Sequence, residues 1–133
     1  MSVVPEIVRT FLSAWTERDS GRVLLAVTDD VLIRDPNTSI QGPAALIEHL
    51  EVIHRRFDFA VAFGPCITEG DHLAFTCHIA MTGRSSRLAG VRTGFDPAVF
   101  VELRDGKIAS WTEYWDPAPM TRDLEAAAAG AVR

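Results

Sequence analysis

The chain has 133 residues, of which 47% are hydrophobic and 23% charged, with a formal net charge of −5. That length and balance fit one globular domain, 1–133, able to bury about two-thirds of its unfolded surface without disulfide or metal staples. The acidic balance excludes the clustered Lys and Arg of a nucleic-acid footprint, and no apolar run approaches the roughly 18–20 residues of a membrane span.

The first residues, MSVVPEIVR, hold no basic stretch followed by an apolar one, so no secretory leader is expected. Val4, Ile7, Val8, Phe11, Leu12 and Trp15 recur at helical spacing, with Ser2 as a candidate N-cap and Pro5 in the first turn. DSGRVLLAV (19–27) predicts a short second helix, and VLIRD (31–35) the first strand. Gly42-Pro43 then opens a third helix through Arg56, striped by Leu46, Ile47, Leu50 and Ile53. After it the period falls to two, predicting strands over 57–67, 72–83, 94–103 and 107–115. Their connections are TEGD, the polar loop RSSRLAGVR and the tight turn RDG. The tail, 118–133, is rich in helix formers but has little to bury, so it is expected to fray.

Three helices ahead of a run of strands predict an α+β fold, with the helices packed over one face of a curved, mostly antiparallel sheet. Where the sheet curves away from the helices a cavity opens, lined by the first helix, the first strand and the last strand. Cys66 and Cys77 fall in strand-like runs and are read as reduced core residues, which points to a cytoplasmic protein.

Several residues stand out within this frame. Val31, Ile33 and Asp35 alternate with Leu32 and Arg34, so the first strand aims an acid along its own apolar side. Asp35 precedes Pro36 and also suits a turn opener. Glu113 sits between Trp111 and Trp115 on one face of the last strand, an unusual setting for a solvated acid. In AFTCHIAM, the face with Ala74, Thr76, His78 and Ala80 is small enough to leave room for a ligand, which makes His78 a candidate partner of Glu113. The opposite face, Leu73, Phe75, Cys77, Ile79 and Met81, is too apolar to be left in water. It is expected to join two copies of the chain as a homodimer through the outer side of the sheet. His49 and His54 belong to the third helix and His72 to a turn edge. None has metal-ligand spacing, so no metal is expected. Nor is there a glycine-rich phosphate loop or a nucleophile motif, so no cofactor is expected.

The order of elements, with RDP closing the first strand and GKIASWTEYWD near the end, resembles the SnoaL-like and ketosteroid-isomerase-like group of the nuclear-transport-factor-2-like superfamily. The resemblance covers nearly the whole chain and implies a cone-shaped fold around a deep apolar pocket. VRTFLSAWTERDSGRVLLAVTDDVLIRDP lies without a gap on the start of a ketosteroid isomerase. That match puts the isomerase's general base on Asp35, its phenolic oxyanion donor on Phe11, and its protonated acid on Ala98 or Val99. The last strand is similar to that of limonene-epoxide hydrolase. On this second match Trp111, Glu113 and Trp115 face the pocket, with Glu113 in the place of one catalytic aspartate. The hydrolase's arginine falls on His78, its second aspartate on Ala80, and its water-holding asparagine on Asp35. Both isomerase donors and two of the hydrolase's three charged groups are therefore missing.

The combined reading is cofactor-independent acid–base catalysis, of isomerase, cyclase or lyase type, on a small apolar, ring-containing molecule. Asp35 is the expected base, with His78 and Glu113 as the second acid–base element. Phe11, Leu12, Trp15, Ile33, Phe59, Val99, Trp111 and Trp115 are expected to form the pocket wall. Two alternatives stand beside it: an epoxide hydrolase, and a binding or assembly module with no chemistry.

Overall fold

The structure, a computed structural model, describes residues 3–131. The proposed cap Ser2 lies outside them. Pro5 occupies the N-cap position of α1 (Glu6–Thr16), where its carbonyl accepts the N–H groups of Val8 and Arg9. The short α2 (Ser20–Leu25) is capped by Asp19, whose side chain accepts the Arg22 N–H at 3.2 Å. Then come β1 (Val27–Arg34), β2 (Ser39–Gln41) and α3 (Pro43–Arg56), which starts after Gly42 at φ +86°. The rest of the sheet is β3 (Phe57–Glu69), β4 (His72–Gly83), β5 (Arg92–Phe95), β6 (Ala98–Arg104) and β7 (Lys107–Tyr114). A last helix, α4 (Ala118–Ala131), follows.

The predicted class holds: three N-terminal helices cover a mostly antiparallel sheet, ordered β2-β1-β7-β6-β4-β3, with β5 beside β4. Among the described residues, only β1 and β7 run parallel. The single strand expected over 94–103 is broken at Asp96-Pro97, because proline cannot donate to a ladder. Its first half pairs with Ile79–Thr82 and its second with His72–Thr76 of the same β4. A second break in register, at Gly64-Pro65 of β3, bends the long β3–β4 ribbon. Helices and bent sheet touch closely around Val8, Val23, Val31, Leu50 and Ile108, all essentially inaccessible, and diverge towards the far end.

One expectation about β4 is reversed. Leu73, Phe75, Cys77, Ile79 and Met81 are buried inside the monomer, while Thr76 and His78 are exposed on the outer face. Burying five large apolar side chains is worth roughly 1.5–3 kcal/mol each, which outweighs any advantage of turning small residues inward. The face expected to form a dimer is the core itself. Cys66 and Cys77 are both buried and free, and burial, with the charges of Glu113 and Asp96, pushes the Cys77 thiol up to about 12.

Candidate active site

The divergence of helices and sheet leaves a cavity of about 330 Å³, at the low end of the size range of small-molecule sites. Its walls are mostly apolar, aromatic and aliphatic side chains together. Phe11, Leu12 and Trp15 enter from α1, Ile33 from β1, Phe59 from β3, and Trp111 and Trp115 from β7 and its end. Seven of the eight predicted wall residues therefore line it; Val99 does not, being packed in the core at 1% exposure. The rings lock one another. Phe11 lies 5.0 Å from Trp111, Trp15 4.5 Å from Phe59, and Phe95 4.2 Å from Trp115.

Two carboxylates enter this apolar space, Glu113 from β7 and Asp35 from the turn just past the end of β1. The parallel register pairs Ile33 with Trp111, so two residues further on Asp35 and Glu113 come side by side on the same face. Asp35 opens a turn as well. Its side chain accepts the Asn37 N–H at 2.8 Å, and its own N–H donates to the Thr38 carbonyl. The turn reading and the pocket reading of Asp35 describe one conformation.

Glu113 is clamped by its flanking tryptophans: Trp111 Nε1 donates to one carboxylate oxygen at 2.8 Å and Trp115 Nε1 to the other at 3.2 Å. Burial pushes the Glu113 carboxyl up to about 7, and the Asp35 charge adds to the rise, against the two indole hydrogen bonds. Near neutral pH Glu113 is thus shared between acid and carboxylate.

His78 is not in the cavity. It lies on the outer face of β4, where its Nδ1 meets the Asp96 carboxylate at 2.7 Å. A different histidine, His49 of α3, lines the cavity, and it feels opposite influences from burial, which lowers its pKa, and Asp35, which raises it. Burial wins and His49 is held below the usual imidazole value. The signal for it was present: His49 falls three residues after Leu46 and four before Ile53, on the stripe that faces the sheet. His54 sits behind the wall, buried, with Nδ1 accepting from Arg18 Nε at 3.3 Å and its ring edge-on to Trp15.

The strand reversal also moves the hydrolase comparison. The inward positions of β4 that could carry its arginine and second aspartate are Ile79 and Met81, both in the cavity wall. The tail is part of the site as well: α4 lays Met120 and Leu124 over the opening. Among the described residues, no group of three or more His, Cys, Asp or Glu could hold a metal ion, and no helix is long and apolar enough to cross a membrane.

A curved sheet closed by helices over an apolar pocket, with acids on its inner strands, defines a nuclear-transport-factor-2-like fold. The chain belongs to the SnoaL-like domain family, which matches residues 8–111. Among solved structures, it is similar to an LEH-like epoxide hydrolase from M. tuberculosis at 23% identity and a TM-score of 0.76, over 95% of this chain and 92% of the other. It is also similar to a putative polyketide cyclase from Xanthomonas campestris, with 15% identity and a TM-score of 0.79 over 89% and 93% of the two chains. An NTF2-like protein from Burkholderia pseudomallei matches at 18% identity and a TM-score of 0.77 over 88% and 93%. At these identities the likeness is one of fold. No curated protein is a significant match to the sequence.

Proposed function

We propose that this protein is a cofactor-independent enzyme that moves protons on a small, apolar, ring-containing molecule, in an isomerisation, cyclisation or elimination. One observation carries the reading. The parallel β1–β7 register brings Asp35 and Glu113 together in an aromatic cavity, where Glu113 is pushed up to about 7. A carboxyl whose proton affinity is raised by burial can act as an acid near neutral pH, with a second carboxylate in the same cavity as the base. Asp35 takes the proton from carbon, Glu113 delivers one to oxygen, and His49 stands on the facing helix to hydrogen-bond the ligand.

The polyketide cyclase likeness favours this reading. Epoxide hydrolysis is the second reading, favoured by the M. tuberculosis neighbour, with Asp35 and Glu113 activating water. Ile79 and Met81 in the inward positions of β4 weigh against it, since they offer no cation to hold the opening oxygen. The place of the isomerase phenol is filled by Phe11, which has no hydroxyl, so turnover of a Δ5-3-ketosteroid is expected to be negligible.

The test needs no known substrate. Cyclic ketones are incubated with the protein in D₂O, and exchange of their α-hydrogens is followed by NMR. Exchange that falls as pH rises through about 7, and that is lost in Asp35→Asn, supports the proposal. Labelled oxygen from water entering an epoxide, with no ketone exchange, would favour hydrolysis. Ligand binding with neither reaction would identify a binding module.

A further inference from the structure

We propose that the cavity takes a hydrophobic molecule carrying a protonated amine, its nitrogen held by the Asp35 and Glu113 carboxylates and the aromatic wall around them. The inference rests on the preceding reading only in taking this cavity as the ligand site; towards such a ligand Asp35 and Glu113 serve as counter-charges rather than as base and acid.

Three observations converge on a cation. The first is the wall: Phe11, Trp15, Phe59, Phe95 and both tryptophans that flank Glu113 line one small space. Aromatic faces carry negative potential and attract ammonium groups within about 6 Å, most strongly where water is excluded. The second is the pairing of the acids. Among the described residues, neither Asp35 nor Glu113 has a salt bridge; their partners are one backbone N–H and two indole N–H groups. Burial and the Asp35 charge both act against the charged form of Glu113, a cost that a neutral ligand leaves in place and a cation removes.

The third is the distribution of the remaining charge. Facing the acids are His49 of α3, kept towards its neutral form by burial, and Cys77 of β4, whose thiol is pushed up to about 12. Among the described residues, the only fixed cation on the lining is Arg56, seven residues beyond His49 on α3 and so about 10 Å along the helix. It is exposed, lies over the Phe57 ring at 5.5 Å, and has no salt bridge to either acid. Among the described residues, the acid end of the cavity is left with negative charge and no salt-bridged counter-charge.

The chain's three tryptophans all line this cavity, so fluorescence excited selectively at tryptophan reports on it. Three probes of similar size and shape are titrated: N,N-dimethylcyclohexylamine, the neutral alcohol 2-cyclohexylpropan-2-ol, and cyclohexanecarboxylate. At pH 8 the amine is expected to bind roughly tenfold or more tightly than the alcohol. That preference should shrink towards pH 5, as Glu113 takes up its proton. In Glu113→Gln, and separately in Asp35→Asn, it should fall to a few-fold or less, with circular dichroism checking that each variant is folded. Because the pH titration is done on the unaltered protein, it reads the same effect if either variant fails to fold. An alcohol that binds as tightly as the amine at pH 8 overturns the amine inference and leaves the cavity as the ligand site. Tightest binding by the carboxylate overturns it too, and points to Arg56. If none of the three changes the tryptophan emission, the inference falls together with the assignment of the cavity.

Discussion

Asp35 and Glu113 carry different physical burdens, and the two can be separated by substitution. Asp35 supplies a carboxylate to the cavity and an acceptor to the Asn37 N–H. Asn keeps the acceptor and removes the base, so Asp35→Asn should lower proton-transfer rates on the order of 10²–10⁴ with little change in melting temperature. A variant that retains its rate would return Asp35 to being a turn residue alone. Glu113 behaves differently. Its carboxyl moves from an ordinary 4.5 to about 7 on folding, so between those values the folded chain keeps a proton that the unfolded chain releases. Stability contributed by this site therefore falls as pH rises, fully so above about 7, by on the order of 3 kcal/mol. Gln cannot titrate. Denaturant unfolding of wild type and Glu113→Gln at pH 4.5 and pH 8 should show the wild type losing ground to the variant by about that amount. Equal pH dependence in the two proteins would mean that Glu113 is solvated. At this scale the acids were legible from alternation, because an acid in an apolar strand pattern stands out. His78 was misplaced and His49 overlooked for one reason: periodicity gives two faces but not which one is inside, and a polar residue on a helical stripe looks like an exception to it.

The elements that shape the cavity were legible in unequal measure. α1, α3 and the long β3–β4 ribbon follow directly from hydrophobic period, and RDG turns as expected, with Asp105 and Gly106 at positive φ. The break at Asp96-Pro97 and the parallel β1–β7 pairing depend on contacts between distant segments, which no local pattern encodes. Yet that pairing is what sets Asp35 beside Glu113. The tail is the clearest case of a tertiary contact overriding local reading. Expected to fray, it forms α4, held by Met120 and Leu124 over the cavity and by Thr93 Oγ1 donating to Asp123 at 2.8 Å. Two half-buried side chains and one exposed hydrogen bond amount to about 2–4 kcal/mol. Removing residues 118–133 should therefore leave the sheet folded while lowering the melting temperature by roughly 5–15 °C. Emission from Trp115 should shift to the red as its cover is lost, and apolar ligands should bind more weakly. A truncated chain with unchanged emission and affinity would show that α4 does not close the site.

For the molecule as a whole, the reversal of β4 changes where assembly is to be sought without removing the reason to expect it. The face first expected to join two copies is core, and the outer face now consists of other residues. Ile67, Phe100 and Tyr114 are 68%, 52% and 62% exposed there, and the Phe100 and Tyr114 rings touch edge to face at 5.7 Å. Phe100 alternates with the buried Val99 and Val101, and Tyr114 follows the inward Glu113, so both project away from the cavity. Phe100 is one wall of a shallow groove whose floor includes Ile67, Ala74 and Thr112, side chains that a second sheet can approach closely, with Glu69, His72 and Glu102 also on its lining. We propose that the chain forms a homodimer through this face. A two-fold axis through the sheet would set each Phe100–Tyr114 pair against the groove of the other copy, giving a self-complementary contact that closes at two subunits. Sedimentation velocity at micromolar concentration should then show a dimer. Phe100→Glu, which puts like charges across the axis and a carboxylate into the contact, should give a folded monomer. The cavity opens on the opposite side of the sheet, so that monomer should bind ligand with unaltered tryptophan quenching. A wild-type monomer at the same concentration, or a Phe100→Glu dimer, would rule this face out as the interface.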